Sequence, residues 1–224
     1  MMDIAMLELQ NVSKEFGENC VLSGLNLRLE SGRIHTLVGG NGSGKTTLFN
    51  IITGFLKPSA GKLTFKGKDI VSLAPHRINR LGIGRTFQDL RLALQMTALE
   101  NIILAQEKKV FAFTTPAQHH QAKAVLELVA LTHQTGTLAG ELSYGQQKLL
   151  TIGCCIANNA ELLLIDEPVA GIDKDNFLKI TALVRGLRDR GKTILQIEHH
   201  PGYIEETSDR VLHLEGGRLR EETC

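Results

Sequence analysis

The chain has no tryptophan and only two tyrosines. It also lacks any apolar run near the ~20 residues that a membrane-crossing helix requires, so it is not expected to span a bilayer. The first ten residues include Asp3 and Glu8 and no basic stretch, which does not read as a secretory signal. None of Cys20, Cys154, Cys155 and Cys224 shows C-x-x-C spacing. That argues against a metal or redox role and for reduced, packed thiols in the cytoplasm. A formal net charge of +1 argues against a dedicated polyanion surface, so no nucleic-acid partner is expected. There is no internal repeat and no low-complexity segment.

What is present is sharper. Gly39-Gly40-Asn41-Gly42-Ser43-Gly44-Lys45-Thr46, followed by Thr47, fills every fixed position of G-x-x-x-x-G-K-[ST]. A strand-like run, Ile34 to Val38, leads in, and a helix-like run, Thr46 to Thr53, leads out. A Gly-rich turn between strand and helix points consecutive N–H groups into one concavity, which binds phosphate. Lys45 would reach the β- and γ-phosphates, and the Thr46 hydroxyl would meet Mg²⁺.

A second signal is Leu162-Leu163-Leu164-Ile165-Asp166-Glu167, a buried strand ending in two carboxylates. Ligands gather at the carboxyl ends of parallel strands. Asp166 would share the metal with Thr46, and Glu167 could take a proton from an attacking water. Alone, the pair would read as two solvated acids; beside the phosphate loop it reads as hydrolysis.

The rest of the chain frames these motifs. Leu7 to Gln10 and Val21 to Glu30 alternate as strands, Lys57 to Gly61 reads as a turn, and Lys62 to Phe65 as a strand. Pro75 opens a helix to Leu81, and Ile83 to Phe87 reads as a strand. From Leu90 to Asn159 the texture is helical. Thr97 to Glu100 and Thr115 to Gln118 are capping boxes, and Ala122, Val125, Leu128 and Val129 share a helical face. A third helix runs from Gly145 to about Asn158. A helix from Asp175 to Arg190, a strand from Thr193 to Ile197 and a hairpin around Glu215-Gly216-Gly217 follow. A helical insert thus interrupts an α/β core.

Over essentially its whole length the chain resembles the ATP-binding subunit of ABC transporters. Leu142-Ser143-Tyr144-Gly145-Gln146-Gln147 matches the family's signature motif, and Gln88 in Arg85-Thr86-Phe87-Gln88 its Q-loop glutamine. Ala170-Gly171-Ile172-Asp173 matches the D-loop, His199 after Glu198 the switch histidine, and Phe16 the aromatic that stacks on adenine. The resemblance implies an α/β fold with a P-loop NTPase (RecA-like) core, an N-terminal antiparallel β subdomain and an inserted α-helical subdomain. That is a single domain over 1–224, with a core of 1–89 and 160–224 and a helical subdomain of 90–159. It implies ATP and Mg²⁺ as cofactors. Glu167, His199 and Gln88 would be catalytic, and Thr46, Gln88 and Asp166 would hold the metal. ATP would meet Phe16, Gly39, Gly40, Asn41, Gly42, Ser43, Gly44, Lys45, Thr46 and Thr47. Ser143, Gly145, Gln146 and Asp173 would meet it from the opposite subunit.

Thr46 to Gly54, Gly82 to Gln88, Met96 to Asn101 and the Tyr of the signature resemble the branched-chain amino-acid importer branch. The implied partners are a second ATPase subunit, identical or paralogous, transmembrane permease subunits, and indirectly a periplasmic solute-binding protein. The implied place is the cytoplasmic face of the cell membrane. Urea, amides or an exported cargo are the alternatives, as is a non-transport ABC ATPase; a GTPase is disfavoured because the chain has no N-K-x-D motif. The bland readings stand beside these: Ser143 and Asp173 as helix caps, Phe16 as core, Gln88 as a surface residue. Three departures matter. Gly40 replaces the family's usual Pro. His200-Pro201 follows the switch position where an Asp is usual, leaving His199 and His200 both open as the switch. The chain ends at Cys224, where importers of this branch generally continue into a helical tail.

Overall fold

The computed structural model describes residues 5–87, 90–106 and 115–222. Strands β1 (Leu7–Phe16), β2 (Asn19–Leu29), β4 (Ala60–Phe65) and β5 (Lys68–Asp69) form an antiparallel sheet in the order β2-β1-β4-β5. The β1–β2 register shifts near Asn11, whose φ of 50° marks a bulge. A second sheet joins β3 (Ile34–Val38), β6 (Ile83–Arg85), β7 (Leu162–Asp166), β8 (Thr193–Ile197), β9 (Arg210–Glu215) and β10 (Arg218–Glu222). Its order is β10-β9-β3-β8-β7-β6, with every neighbour parallel except the β9–β10 hairpin. Ser23 donates its backbone N–H to Gly217 O at 2.8 Å, tying the two sheets together.

The central strands are buried on both faces, as parallel strands between covering layers must be. Successive side chains point to opposite faces, and the packing follows. Leu162, Leu164, Leu195 and Leu37 pack with Leu48 and Phe49 of α1 (Lys45–Ile52), with Ile78 of α2 (Pro75–Leu81) and with the antiparallel sheet. Leu163, Ile165, Ile34 and Ile194 face the other way. They pack with α3 (Ala98–Gln106), α4 (Pro116–Leu128), α5 (Tyr144–Ala157), α6 (Lys174–Asp189) and Tyr203 of α7 (Pro201–Thr207). The parallel sheet therefore separates α1 from α5.

Local differences from the sequence reading have physical causes. The expected strand over Ile83 to Phe87 stops at Arg85, although Thr86 still donates its N–H to Leu164 O at 2.9 Å. Strand β4 begins at Ala60, inside the expected turn, because Ala60 pairs with Ser13 across the sheet. On α4 the buried stripe is Ala122 and Leu126, continued by Val129, with Val125 and Leu128 at its edge. Both Thr97 and Thr115 cap their helices reciprocally with Glu100 and Gln118.

Candidate functional site

The phosphate-type loop leaves β3 at Gly39 and enters α1 at Lys45. Two of the loop's glycines leave no room for a Cβ. A Cβ on Gly39 would stand 2.4 Å from the Leu214 carbonyl, and Gly44, the N-cap of α1, sits in the left-handed region at φ 104° with Leu22 2.7 Å from where a Cβ would lie. Gly40 needs neither: its φ is outside that region and nothing lies within 4 Å. Lys45 folds back over the loop, donating to Gly39 O at 2.6 Å and Gly40 O at 2.9 Å. Burial lowers its pKa, opposed by Glu167 and Asp166. The Ser43 hydroxyl oxygen is buried without a hydrogen-bond partner. A buried hydroxyl without a partner and an ammonium over the loop carbonyls fit an anion-binding cradle.

Asp166 ends β7 and lines one cavity with Thr46, Asn50 and Arg85. Burial pushes its carboxyl up, while Arg85 pulls it down, Glu167 raises it, and Lys45 and Lys148 lower it. Among the described residues no cluster of three His, Cys, Asp or Glu could hold a metal alone. A hydroxyl and one carboxylate facing a shared cavity suit Mg²⁺, which keeps waters and phosphate oxygens in its shell. Gln88, the third expected ligand, lies outside the described residues.

Glu167 follows Asp166 with φ 46°, a left-handed conformation uncommon for a residue with a side chain. Its N–H donates to Ile197 O at 2.9 Å, because Asp166 pairs with Ile197 across β7 and β8. Its carbonyl accepts from the Lys148 ammonium at 2.6 Å, which also donates to Ala170 O at 2.8 Å. Glu198, only 3% exposed, accepts from Val169 N–H at 3.2 Å through one oxygen. Its other oxygen accepts from the N–H groups of His199 at 2.5 Å and His200 at 3.0 Å. Lys148 and Glu198 thus hold the loop that presents Glu167, and motif reading had singled out neither.

Arg85 is a third such residue. Its guanidinium donates to Asn50 Oδ1 at 2.6 Å and Thr53 Oγ1 at 3.2 Å and lies over the rings of Phe49 and Phe87. Burial lowers its pKa to about 10, opposed by Asp166. The signal for it was in plain view, in the Arg85-Thr86-Phe87-Gln88 run.

Ser143 caps α5 reciprocally. Gln146 N–H donates to Ser143 Oγ at 3.3 Å and Ser143 N–H to Gln146 Oε1 at 2.9 Å. Asp173 caps α6 by accepting from Asn176 N–H at 3.0 Å. The capping readings of both residues therefore hold. His200, where the family usually has Asp, caps α7: its Nδ1 accepts from Tyr203 N–H at 3.2 Å, and its ring packs on Phe177. The exposed His199 ring makes no hydrogen bond among the described residues. Phe16 is 48% exposed at the end of β1, so it is not core.

A family model described as "ABC transporter" matches residues 22–170, well over half the chain. The chain belongs to the ABC transporter family. It is 34% identical to the high-affinity branched-chain amino acid transport ATP-binding protein BraF of Pseudomonas aeruginosa, covering 95% of this chain and 89% of that one. A crystal structure of an ATP-binding cassette in its ADP conformation superposes with a TM-score of 0.90 at 33% identity, covering 98% of this chain and 91% of that chain. A dimeric cassette in a post-hydrolysis state bound to ADP and Pi superposes at 0.85 with 29% identity, covering 97% and 98%. In this ABC chain the P-loop and the acidic pair meet at the carboxyl ends of β3 and β7. The Ser143 end of α5 lies on the opposite face of the same sheet from α1.

Proposed function

We propose that the chain is the ATP-binding and ATP-hydrolysing subunit of an ABC importer whose cargo is branched-chain amino acids. The single observation that carries the hydrolytic reading is the convergence of Lys45, Thr46, Asp166 and Glu167 at the carboxyl ends of β3 and β7. The cargo rests on likeness to BraF.

Two chains, identical or paralogous, meet head to tail, and each phosphate loop faces the partner's Ser143, Gly145, Gln146 and Asp173. The separation of α1 from α5 by the sheet supports this, since one chain then carries half of each of two sites. Gly39 to Thr47 cradle the phosphates, and Lys45 exchanges its loop carbonyls for phosphate oxygens. Phe16 stacks on adenine. Thr46, Asp166 and Gln88 would hold Mg²⁺, which would supply positive charge to the transferring phosphoryl group. Glu167 takes the proton of the attacking water. His199 is the switch residue at the γ-phosphate, because His200 is committed to capping α7. Residues 90–159 form the helical subdomain that docks the permease at the cytoplasmic face of the membrane, and a periplasmic solute-binding protein delivers cargo from the other side.

Glu167→Gln in the full chain should keep ATP binding and cut turnover to a small residual rate. Hydrolysis at the normal rate in that variant would remove Glu167 as the base.

A further inference from the structure

Lys148 is 7% exposed, yet it carries an ammonium, so its burial calls for a cause. It extends from the second turn of α5 to the loop after β7 and donates to the carbonyls of Glu167 and Ala170, at 2.6 and 2.8 Å. Burial lowers its pKa, opposed by the charges of Glu198, Glu167 and Asp166. Glu167 occupies the left-handed region, which persists only where the surroundings over-determine it. Its two backbone polar groups are pinned from two directions, the N–H by Ile197 of β8 and the carbonyl by Lys148 of α5. Removing the ammonium leaves the Glu167 and Ala170 carbonyls without that donor and frees one side of the strained peptide.

We propose that Lys148 is a positioning residue for hydrolysis. It holds the backbone of Glu167 so that its carboxylate faces the water, and so ties the helix that begins at Ser143 to the general base of the same chain. This rests on the assignment of Glu167 as the base. The consequence is directional. Any displacement of α5 by what binds at Ser143 pulls on the Glu167 loop through one side chain. Misplacing a catalytic group by about 1 Å costs on the order of a hundredfold in rate. Binding of ATP at the phosphate loop of the same chain does not use this contact.

The test is steady-state ATP hydrolysis and ATP binding by the full chain. Lys148→Met should lower kcat at least about tenfold while the ATP dissociation constant stays within about twofold. Lys148→Arg should restore most of the rate, because a guanidinium still donates to both carbonyls. In the Glu167→Gln background, Lys148→Met should cost the residual rate nothing further, since it acts only through Glu167. If the Met variant does not fold, Lys148→Gln, which keeps one donor, is held to the same kcat criterion. A kcat within twofold of the parent overturns the proposal. So does a loss in kcat that multiplies with that of Glu167→Gln. Normal turnover by Glu167→Gln alone overturns the base assignment instead, which separates the two failures.

Discussion

Gly145 of α5 lies against Asn176 of α6 so closely that a Cβ on the glycine would stand 2.6 Å from the Asn176 amide carbon. The glycine of the signature run therefore answers to a contact within its own chain. Asn176 cannot withdraw cheaply. It is buried, and its side-chain amide donates to Asp173, the cap of α6, at 2.6 Å.

Gly145→Ala should therefore destabilise the chain without any ligand, by about 1–3 kcal/mol, the usual range for overpacking a well-filled site. Combining it with Asn176→Ala should recover part of that loss, since the clash disappears with the amide. Urea denaturation of the three variants measures both. Equal stability of Gly145→Ala and the parent would refute the steric account.

His35 on β3 is fully buried, and its Nδ1 has no partner. Burial lowers its pKa below 6.5; a backbone bond to Glu30 and the nearby Glu30 and Asp209 oppose this, and Arg210 adds to it. The unfolded chain then binds more protons than the folded chain just below the ordinary value. The contribution of His35 is complete above about pH 6.5 and is lost as pH falls from there toward the lowered folded value. The urea midpoint should drop between pH 7.5 and 5.5, and His35→Leu should flatten that drop. An undiminished drop in the variant would assign the acid sensitivity elsewhere.

Cys20 is exposed and lines the same cavity as Gly40, Asn41, Gly42 and Ser43, whereas burial pushes the Cys154 thiol up to about 12 and Cys155 higher still. Among these three, Cys20 should react first with iodoacetamide, and ATP should slow that reaction severalfold by filling the loop beside it. Mass spectrometry of the labelled peptides reads both rates. Labelling of Cys20 that ignores ATP would place the nucleotide away from this cavity.

Much of the site was legible because its signals are local. The Gly39 to Thr46 loop and the run ending in Asp166 and Glu167 are unbroken stretches of sequence, and the caps at Thr97, Thr115 and Ser143 each join residues three apart. Short-range hydrogen bonds and backbone preferences act whatever the rest of the chain does. Lys148 and Glu198 were not legible in the same way. Lys148 meets the Glu167 carbonyl 19 residues on, and Glu198 meets Val169 across 29 residues. A lone lysine after a glutamine pair carries no periodic signal for such a partner.

The order of the strands and the face on which each helix lies came only from the tertiary structure. Parallel strands buried on both faces are near-uniform apolar runs, so Leu162 to Ile165 and Thr193 to Ile197 do not announce their neighbours. Which side α1 and α5 occupy follows from how those alternating side chains fill two separate cores. The sequence alone determined the phosphate loop, the acidic pair and the helix caps, because these are chemistry at short range. Three-dimensional packing decided that Gly145 makes room for Asn176 and that Lys148 grips Glu167. Each of these is a contact whose strength depends on burial, and burial belongs to the whole fold.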